Sequence, residues 1–255
     1  MRPVFVLLTD FGHASPYVGQ MKAVLLAGCR DAAIIDLTHE ITAHAVCEAA
    51  FLLTASIPYL PAQSIVLAVV DPGVGTERAM VLWDTPELRI LAPDNGLLAP
   101  LAHQGTLWRI SMPEAPSATF HGRDVLAPVA VRLALGAPPI AVATPWGTQP
   151  LVSLPAPPAP SPGQILTRVA HVDRFGNCLL ELPANTPLPA RILVQGRPAR
   201  VVRTYSDLAP QELGVLRGSQ GVWEIALREA SAAHLLGLGA GALVFLTAAD
   251  PLAPA

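Results

Sequence analysis

Residues 65–78 read IVLAVVDPGVGTER, and this stretch constrains the chain more than any other. Six small or apolar residues in succession, 65–70, read as a buried strand. The strand stops at Asp71, where Pro72, Gly73 and Gly75 force a tight turn that delivers a base, Arg78, seven residues after the acid. A buried strand emptying into a Gly/Pro loop that carries charge is how open α/β sheets build ligand sites at their carboxyl ends. Asp and Gly are also ordinary turn residues, so Asp71 by itself has a purely structural account as a turn cap, with Arg78 solvated.

The flanking sequence supplies more strands of the same kind. Residues 3–9 form an apolar run that ends in a second strand-end acid, Asp10, and residues 32–37 form a third short strand. Between them, Ser15 and Pro16 predict a helix start, with Ser15 as N-cap, and Gly28 predicts its end. Residues 45–57 suit a buried helix closed by Pro58. Residues 80–83 and 88–91 predict two strands about a short turn, 97–103 a short helix, 106–110 a strand, and 125–135 a helix preceded by Asp124. Strands alternating with helices predict an α/β fold, a mostly parallel sheet flanked by helices.

The pattern changes at residues 151–163, LVSLPAPPAPSPG, where proline excludes both helix and central strand. Beyond it, short apolar runs at 164–172, 178–182, 191–194, 199–203, 222–227 and 242–246 alternate with turn residues, as in a small β-barrel or sandwich. The expected organisation is an N-terminal α/β domain, 1–152, a Pro-rich linker, 153–163, and a C-terminal β-barrel-like domain, 164–255.

Charge and cysteine usage narrow the function classes. Apolar residues make up 52% and charged ones 14%, with a net charge of −3, so there is a large core to bury and no basic footprint for nucleic acid. No apolar run approaches the ~20 residues of a membrane span, and residues 1–8 are too short for a signal-peptide core. Three widely spaced cysteines give neither a disulfide framework nor a zinc signature, which points to a reducing cytoplasm.

Several motifs fail on inspection. Gly73-Val74-Gly75 follows a strand but lacks the third glycine of a dinucleotide fingerprint, since Arg78 stands there. His39 and His44 resemble a zincin pair with one residue too many, and side chains five apart on a helix diverge by about 140°. What remains is a set of polar residues at strand ends: Asp10, Asp71 with Arg78, Asp94-Asn95, and the run 119–124 containing Phe120, His121, Arg123 and Asp124. Parallel strands would bring these loops to one edge. Each member also has an ordinary account: a structural histidine at 121, an N-cap at Asp124, an Arg123–Asp124 pair, a turn at 94–96. In the second domain the run 172–177, VDRFGN, is either a hairpin turn or a polar grip. The loops at 205–208 and 218–221 offer an aromatic and backbone donors for a heterocycle.

Taken together, TDFG (9–12), YVGQMK (17–22), DLTHEI (36–41), VVDPGVGTER (69–78), APDNGLL (92–98), TFHGRDVLAPVA (119–130) and VDRFGN (172–177) resemble one family. It is the adenosine-forming S-adenosylmethionine (SAM) hydrolases, also called SAM hydroxide adenosyltransferases, to which the fluorinases and chlorinases are related. The resemblance spans both expected domains. It implies a homotrimer in which SAM binds between one subunit's N-terminal domain and its neighbour's C-terminal domain, with no cofactor and no metal. It also implies that Asp71, Arg78 and His121 handle the nucleophilic water, that Asp10 meets the ribose hydroxyls, and that Phe120 walls the site. Asp173 and Asn177 would hold the amino-acid end of the substrate, Tyr205 would pack on adenine, and Ser219 would grip the carboxylate. Three positions depart from the pattern of the family or of its halogenating relatives: Arg228 stands where asparagine is common, His44 where the halogenating relatives carry tryptophan, and Gln220 where they carry arginine.

The implied chemistry is self-consistent. Attack at ribose C5′ expels neutral methionine from a sulfonium, so neither a Lewis acid nor a leaving-group acid is required. The demand falls on the nucleophile, because free water has a pKa of about 15.7. Arg78 beside Asp71 would keep a carboxylate that orients water, and His121 would accept a hydrogen bond or a proton. A SAM-dependent halogenase and a non-catalytic SAM or nucleoside sensor are the competing readings. The halogenases replace the Asp/Arg/His set, and a sensor has no need of it.

Overall fold

The apolar runs of the N-terminal half assemble into one twisted sheet in a computed structural model that describes residues 2–114, 116–156 and 163–249. The chain divides into two compact units, Met1–Leu154 and Pro155–Ala255. Residues 157–162 of the Pro-rich stretch lie outside the described residues.

In the first unit the strands are β1 (Val4–Thr9), β2 (Ala33–Thr38), β3 (Ser64–Val69), β4 (Met80–Asp84), β5 (Leu88–Pro93), β6 (Thr106–Ile110) and β7 (Ala143–Pro145). Their order is β2-β1-β3-β5-β4-β6-β7. β2, β1, β3 and β5 pair in parallel, β4 is antiparallel to both β5 and β6, and β7 is antiparallel to β6. Only β4 and β7 therefore run against the other strands. β3 lies between β1 and β5 in the interior of the sheet, and every one of its residues is buried.

Period-2 alternation then divides the core into two layers. Phe5, Leu7, Ile65, Leu67 and Val69 face α1 (Tyr17–Gly28) and α3 (Ala127–Ala134). Val6, Leu8, Val66, Ala68 and Val70 face α2 (Val46–Ser56). Burying one such leucine contributes roughly 1.5–3 kcal/mol. α1 and α3 approach closely at Gly28, where an added Cβ would stand 2.3 Å from Val131 Cγ1.

Local details depart from the sequence expectations. Ser15 does not cap α1, whose N-cap is Pro16 with no side-chain hydrogen bond. The helix expected over 97–103 is a single 3₁₀ turn, Ala99–Leu101. The helix expected from 125 begins earlier, as a π-helical turn, Gly122–Leu126, so Asp124 lies inside it rather than capping it.

The second unit is a closed barrel in the order β10-β11-β12-β13-β9-β8-β14. Its strands are β8 (Gln164–Val172), β9 (Cys178–Pro183), β10 (Arg191–Val194), β11 (Arg197–Val201), β12 (Leu213–Arg217), β13 (Val222–Leu227) and β14 (Leu243–Ala248). β12 is not among the strands expected from the sequence. A short helix, α4 (Ala232–Leu236), precedes β14 and is N-capped by Ser231, whose side chain accepts from His234 N at 3.0 Å.

Candidate active site

Because β1, β3 and β5 are parallel, their carboxyl ends deliver the expected loops to one edge of the sheet. The register pairs Thr9 with Val69 and Leu67 with Leu91, so Asp10 and Asp71 follow adjacent strands. Asn95 ties the third loop to the second by donating from Nδ2 to Val70 O at 2.8 Å. Asp94 is occupied structurally: its backbone N–H bonds Ala79 O and its Oδ1 accepts from Val152 N at 2.9 Å. Burial pushes its carboxyl up.

The turn after β3 folds Arg78 back onto Asp71. Arg78 Nε donates to Asp71 Oδ1 at 2.5 Å and Nη2 donates to Oδ2, a two-pronged pair that is almost fully buried. Such forks hold a carboxylate in one plane as well as by charge. The turn needs Gly75 twice over. Its φ is +84°, and a Cβ there would stand 2.7 Å from Ala118 O. That close approach lays the 118–121 loop against the Asp71 turn and places His121 Nδ1 3.3 Å from Arg78 Nη2.

A guanidinium can only donate, so Nδ1 of His121 is the acceptor and the neutral ring carries its proton on Nε2. Burial lowers the His121 pKa, and the Arg78 charge lowers it further, against the opposing pull of Asp71 and Asp124. Arg78 Nη1 is buried and without a hydrogen-bond partner among the described residues. The π-helical turn that follows His121 fits close to the sheet, since a Cβ added at Gly122 would stand 3.3 Å from Met21 Sδ and Val69 Cγ1. Turns of this kind are frequent at functional sites.

Phe120 is 7% exposed and meets Phe11 and Tyr17 edge-on, with ring centroids 5.6 and 5.3 Å away. Arg123 stacks over it at 4.9 Å while forking onto Asp124, in keeping with the ordinary account of that pair. Asp10 is held from a different loop: His44 N, in a left-handed conformation at φ 68°, donates to Asp10 Oδ2 at 2.9 Å.

In the barrel, a cavity of about 710 Å³ is lined by Asp173, Phe175, Asn177, Tyr205, Arg228 and Ser231, among others. Residues 173–177 are a hairpin turn, and Asp173 organises it. Its Oδ1 accepts from Phe175 N and Asn177 N, and its Oδ2 accepts from Asn177 Nδ2, each at 2.9 Å. The hairpin account and the cavity-lining account therefore hold together. Ser219 is exposed at the tip of the β12–β13 turn and does not line this cavity. Arg228 donates to Leu208 O and Ser206 O, tethering the loop that carries Tyr205.

Two further buried polar groups, neither assigned a site role from the sequence, stand near the residues described above. Glu224, on β13, accepts from the Tyr205 hydroxyl. Burial is the largest cause raising the pKa of both; their mutual hydrogen bond raises the tyrosine further but lowers the glutamate, and the nearby Asp173 raises both. A lone glutamate in the apolar run VWEIAL is the signal that could have found it. His39 is the other: it is 1% exposed and bonded to Thr9. A slightly larger cavity, about 780 Å³, opens at the opposite edge of the sheet among the first residues of β1, β3 and β5. Its arginines are already engaged, Arg2 with the carbonyls of Asp31 and Ala32 and Arg89 with Asp84, so the strand-carboxyl edge is the stronger candidate.

Known proteins resemble this arrangement along nearly its full length. The SAM hydroxide adenosyltransferase N-terminal domain family matches residues 5–143, and the SAM hydroxide adenosyltransferase C-terminal domain family matches residues 167–245. An (R)-S-adenosyl-L-methionine hydrolase of Thermus thermophilus is 38% identical over 94% of this chain and 98% of its own. A protein of the same name from Salinispora tropica is 38% identical over 96% and 98%. The crystal structure of a conserved protein from Thermotoga maritima superposes with a TM-score of 0.84 at 31% identity, covering 95% of this chain and 99% of that one.

Proposed function

The chain belongs to the SAM hydroxide adenosyltransferase family, and from that premise we propose that it hydrolyses S-adenosylmethionine to adenosine and methionine. The observation that carries this reading is the buried Asp71–Arg78–His121 set at the carboxyl edge of the sheet.

In this reading, water is held between the Asp71 carboxylate, the free Nη1 of Arg78 and His121, in line behind ribose C5′. The water oxygen bonds to C5′ as the C5′–S bond breaks. The electron pair of that bond stays on sulfur, which becomes the neutral thioether of methionine. The attacking water gives up one proton, which leaves to solvent. No cofactor takes part, and a neutral leaving group needs no Lewis acid. Positioning and a fixed electrostatic field are enough to supply the acceleration. Asp10 would accept from the ribose hydroxyls and Phe120 would wall the site. In the barrel, Asp173 and Asn177 would hold the amino-acid end of the substrate, Tyr205 would pack on adenine, and Ser219 would close on the carboxylate from its turn. A cytoplasmic homotrimer with its sites at subunit interfaces completes the proposal.

The test is incubation of the purified protein with SAM at neutral pH, with and without chloride and fluoride, followed by chromatographic identification of the nucleoside. Adenosine and methionine, independent of halide, are expected. A 5′-halonucleoside would instead make the protein a halogenase, and binding without product would make it a sensor. Light scattering during size-exclusion chromatography tests the trimer.

A further inference from the structure

β1 and β2 pair in register as far as Leu7 and Asp36, and then the ladder slips, so that Leu8 faces Thr38 and Leu37 is skipped. The slip comes just before a buried histidine that the water-handling set does not use. His39 Nδ1 lies 2.9 Å from Thr9 Oγ1, and His39 Nε2 faces Asp36 Oδ1 at 3.1 Å, close but not aligned as a hydrogen bond. Asp36 is in turn held by Lys22 Nζ of α1 at 2.6 Å. With Nε2 facing a carboxylate, the ring proton sits there, so Nδ1 accepts from the Thr9 hydroxyl. Thr9 Oγ1 also accepts from Phe11 N at 3.2 Å. On its other side, the carbonyl of His39 accepts from Gly12 N at 2.8 Å.

Asp10 sits between these contacts. The residue before it is gripped by the His39 ring, the second residue after it by the His39 carbonyl, and its own carboxylate by His44 N from the same loop. We propose that His39 is a positioning residue that sets Asp10 for the ribose diol of the substrate, with Thr9 as its handle and Asp36–Lys22 as its anchor. This rests on the reading of Asp10 given above. His39 is buried beneath the turn and acts only through the backbone that carries Asp10.

The experiment compares SAM with its 2′-deoxy analogue in the wild type, His39→Gln and Thr9→Val, with Thr9→Ser as the conservative control. Gln loses the Nδ1 acceptor, Val loses the hydroxyl, and Ser keeps it. Loss of a hydrogen bond to a charged group is worth about 10-fold or more. We therefore expect His39→Gln and Thr9→Val to raise KM for SAM by about 10-fold, with kcat held within about threefold and KM for the 2′-deoxy analogue changed by less than about twofold. Thr9→Ser stays near the wild type. Equal losses on both substrates, or a loss confined to kcat, overturn the positioning role. A wild type that hydrolyses both substrates with equal kcat/KM overturns the reading of Asp10 itself, and the proposal with it. If His39→Gln does not fold, the Thr9→Val and Thr9→Ser pair decides the matter by the same outcomes.

Discussion

Arg78 Nη2 and His121 Nδ1 lie 3.3 Å apart, and this contact requires a neutral imidazole. Protonating His121 would place a second cation against the guanidinium and remove the acceptor. Burial and the Arg78 charge both lower the His121 pKa. The acid limb of kcat/KM is therefore expected below the ordinary imidazole value of about 6.5. His121→Asn should abolish that limb and lower kcat by about 10²-fold or more. The same shift affects stability. The unfolded chain takes up this proton first, so the stabilisation is complete above about pH 6.5 and is lost as pH falls toward the folded pKa. Urea midpoints of the wild type and His121→Asn, measured from pH 8 down to pH 5, check the sign. An acid limb unchanged in His121→Asn would sink the assignment.

Arg78→Lys keeps the charge and loses the shape. A lysine cannot bond both oxygens of Asp71 and His121 at once, as Nε and Nη2 of Arg78 do. We expect kcat to fall by about 10²-fold while KM stays within about threefold, because the geometry is needed most in the transition state. Steady-state rates within threefold of the wild type would mean that charge alone suffices.

The parts legible in the sequence are those governed by short apolar runs. Residues 65–70 and 3–9 read as buried strands and 32–37 as a short strand beside them, and parallel pairing then brings Asp10 and Asp71 to one edge. Asp71 and Arg78 can be matched because one tight turn joins them. The contact with His121 cannot be read, since it depends on Gly75 packing against Ala118 across 43 residues of chain. The π-helical turn at Gly122–Leu126 leaves no periodicity to see, and Asp124 resembles an N-cap for that reason. β12 is hidden because Gly214 interrupts a five-residue strand, where an added Cβ would strike Leu208. His39 resembles a failed metal motif, and only tertiary structure shows that it grips Thr9.

Glu224 gives a prediction of opposite sign to His121. Its carboxyl is buried and its pKa is raised, chiefly by that burial. The folded state thus holds this proton more tightly than the unfolded one, and stability is lost as pH rises above the ordinary glutamate value of about 4.3 toward the folded pKa. Glu224→Gln removes the penalty and keeps an acceptor for the Tyr205 hydroxyl. The variant is expected to be more stable than the wild type at pH 7, with the difference vanishing below about pH 4. Tyr205→Phe instead leaves a buried acceptor unpaired and should cost about 1–3 kcal/mol. Denaturant titrations at several pH values measure both. A Glu224→Gln variant less stable than the wild type at neutral pH would contradict the account.

Gly75 separates backbone strain from contact. Gly75 and Gly147 both have positive φ, +84° and +89°, but Gly147 has nothing within 4 Å of an added Cβ, whereas Gly75 would place one 2.7 Å from Ala118 O. Alanine at either position incurs the left-handed penalty, about 1–2 kcal/mol. At position 147 that should be the whole effect, leaving kcat unchanged. At position 75 the Cβ must also push the 118–121 loop away, and that loop carries His121 toward Arg78. A displacement near 1 Å at a positioned group is enough to reduce rates by about 10²-fold. Gly75→Ala is therefore expected to lose activity far beyond what its stability loss explains, while Gly147→Ala loses stability alone. Thermal melts together with kcat for the pair test this directly. Equal activities in the two variants would mean that the close approach at Gly75 does not hold His121 in place.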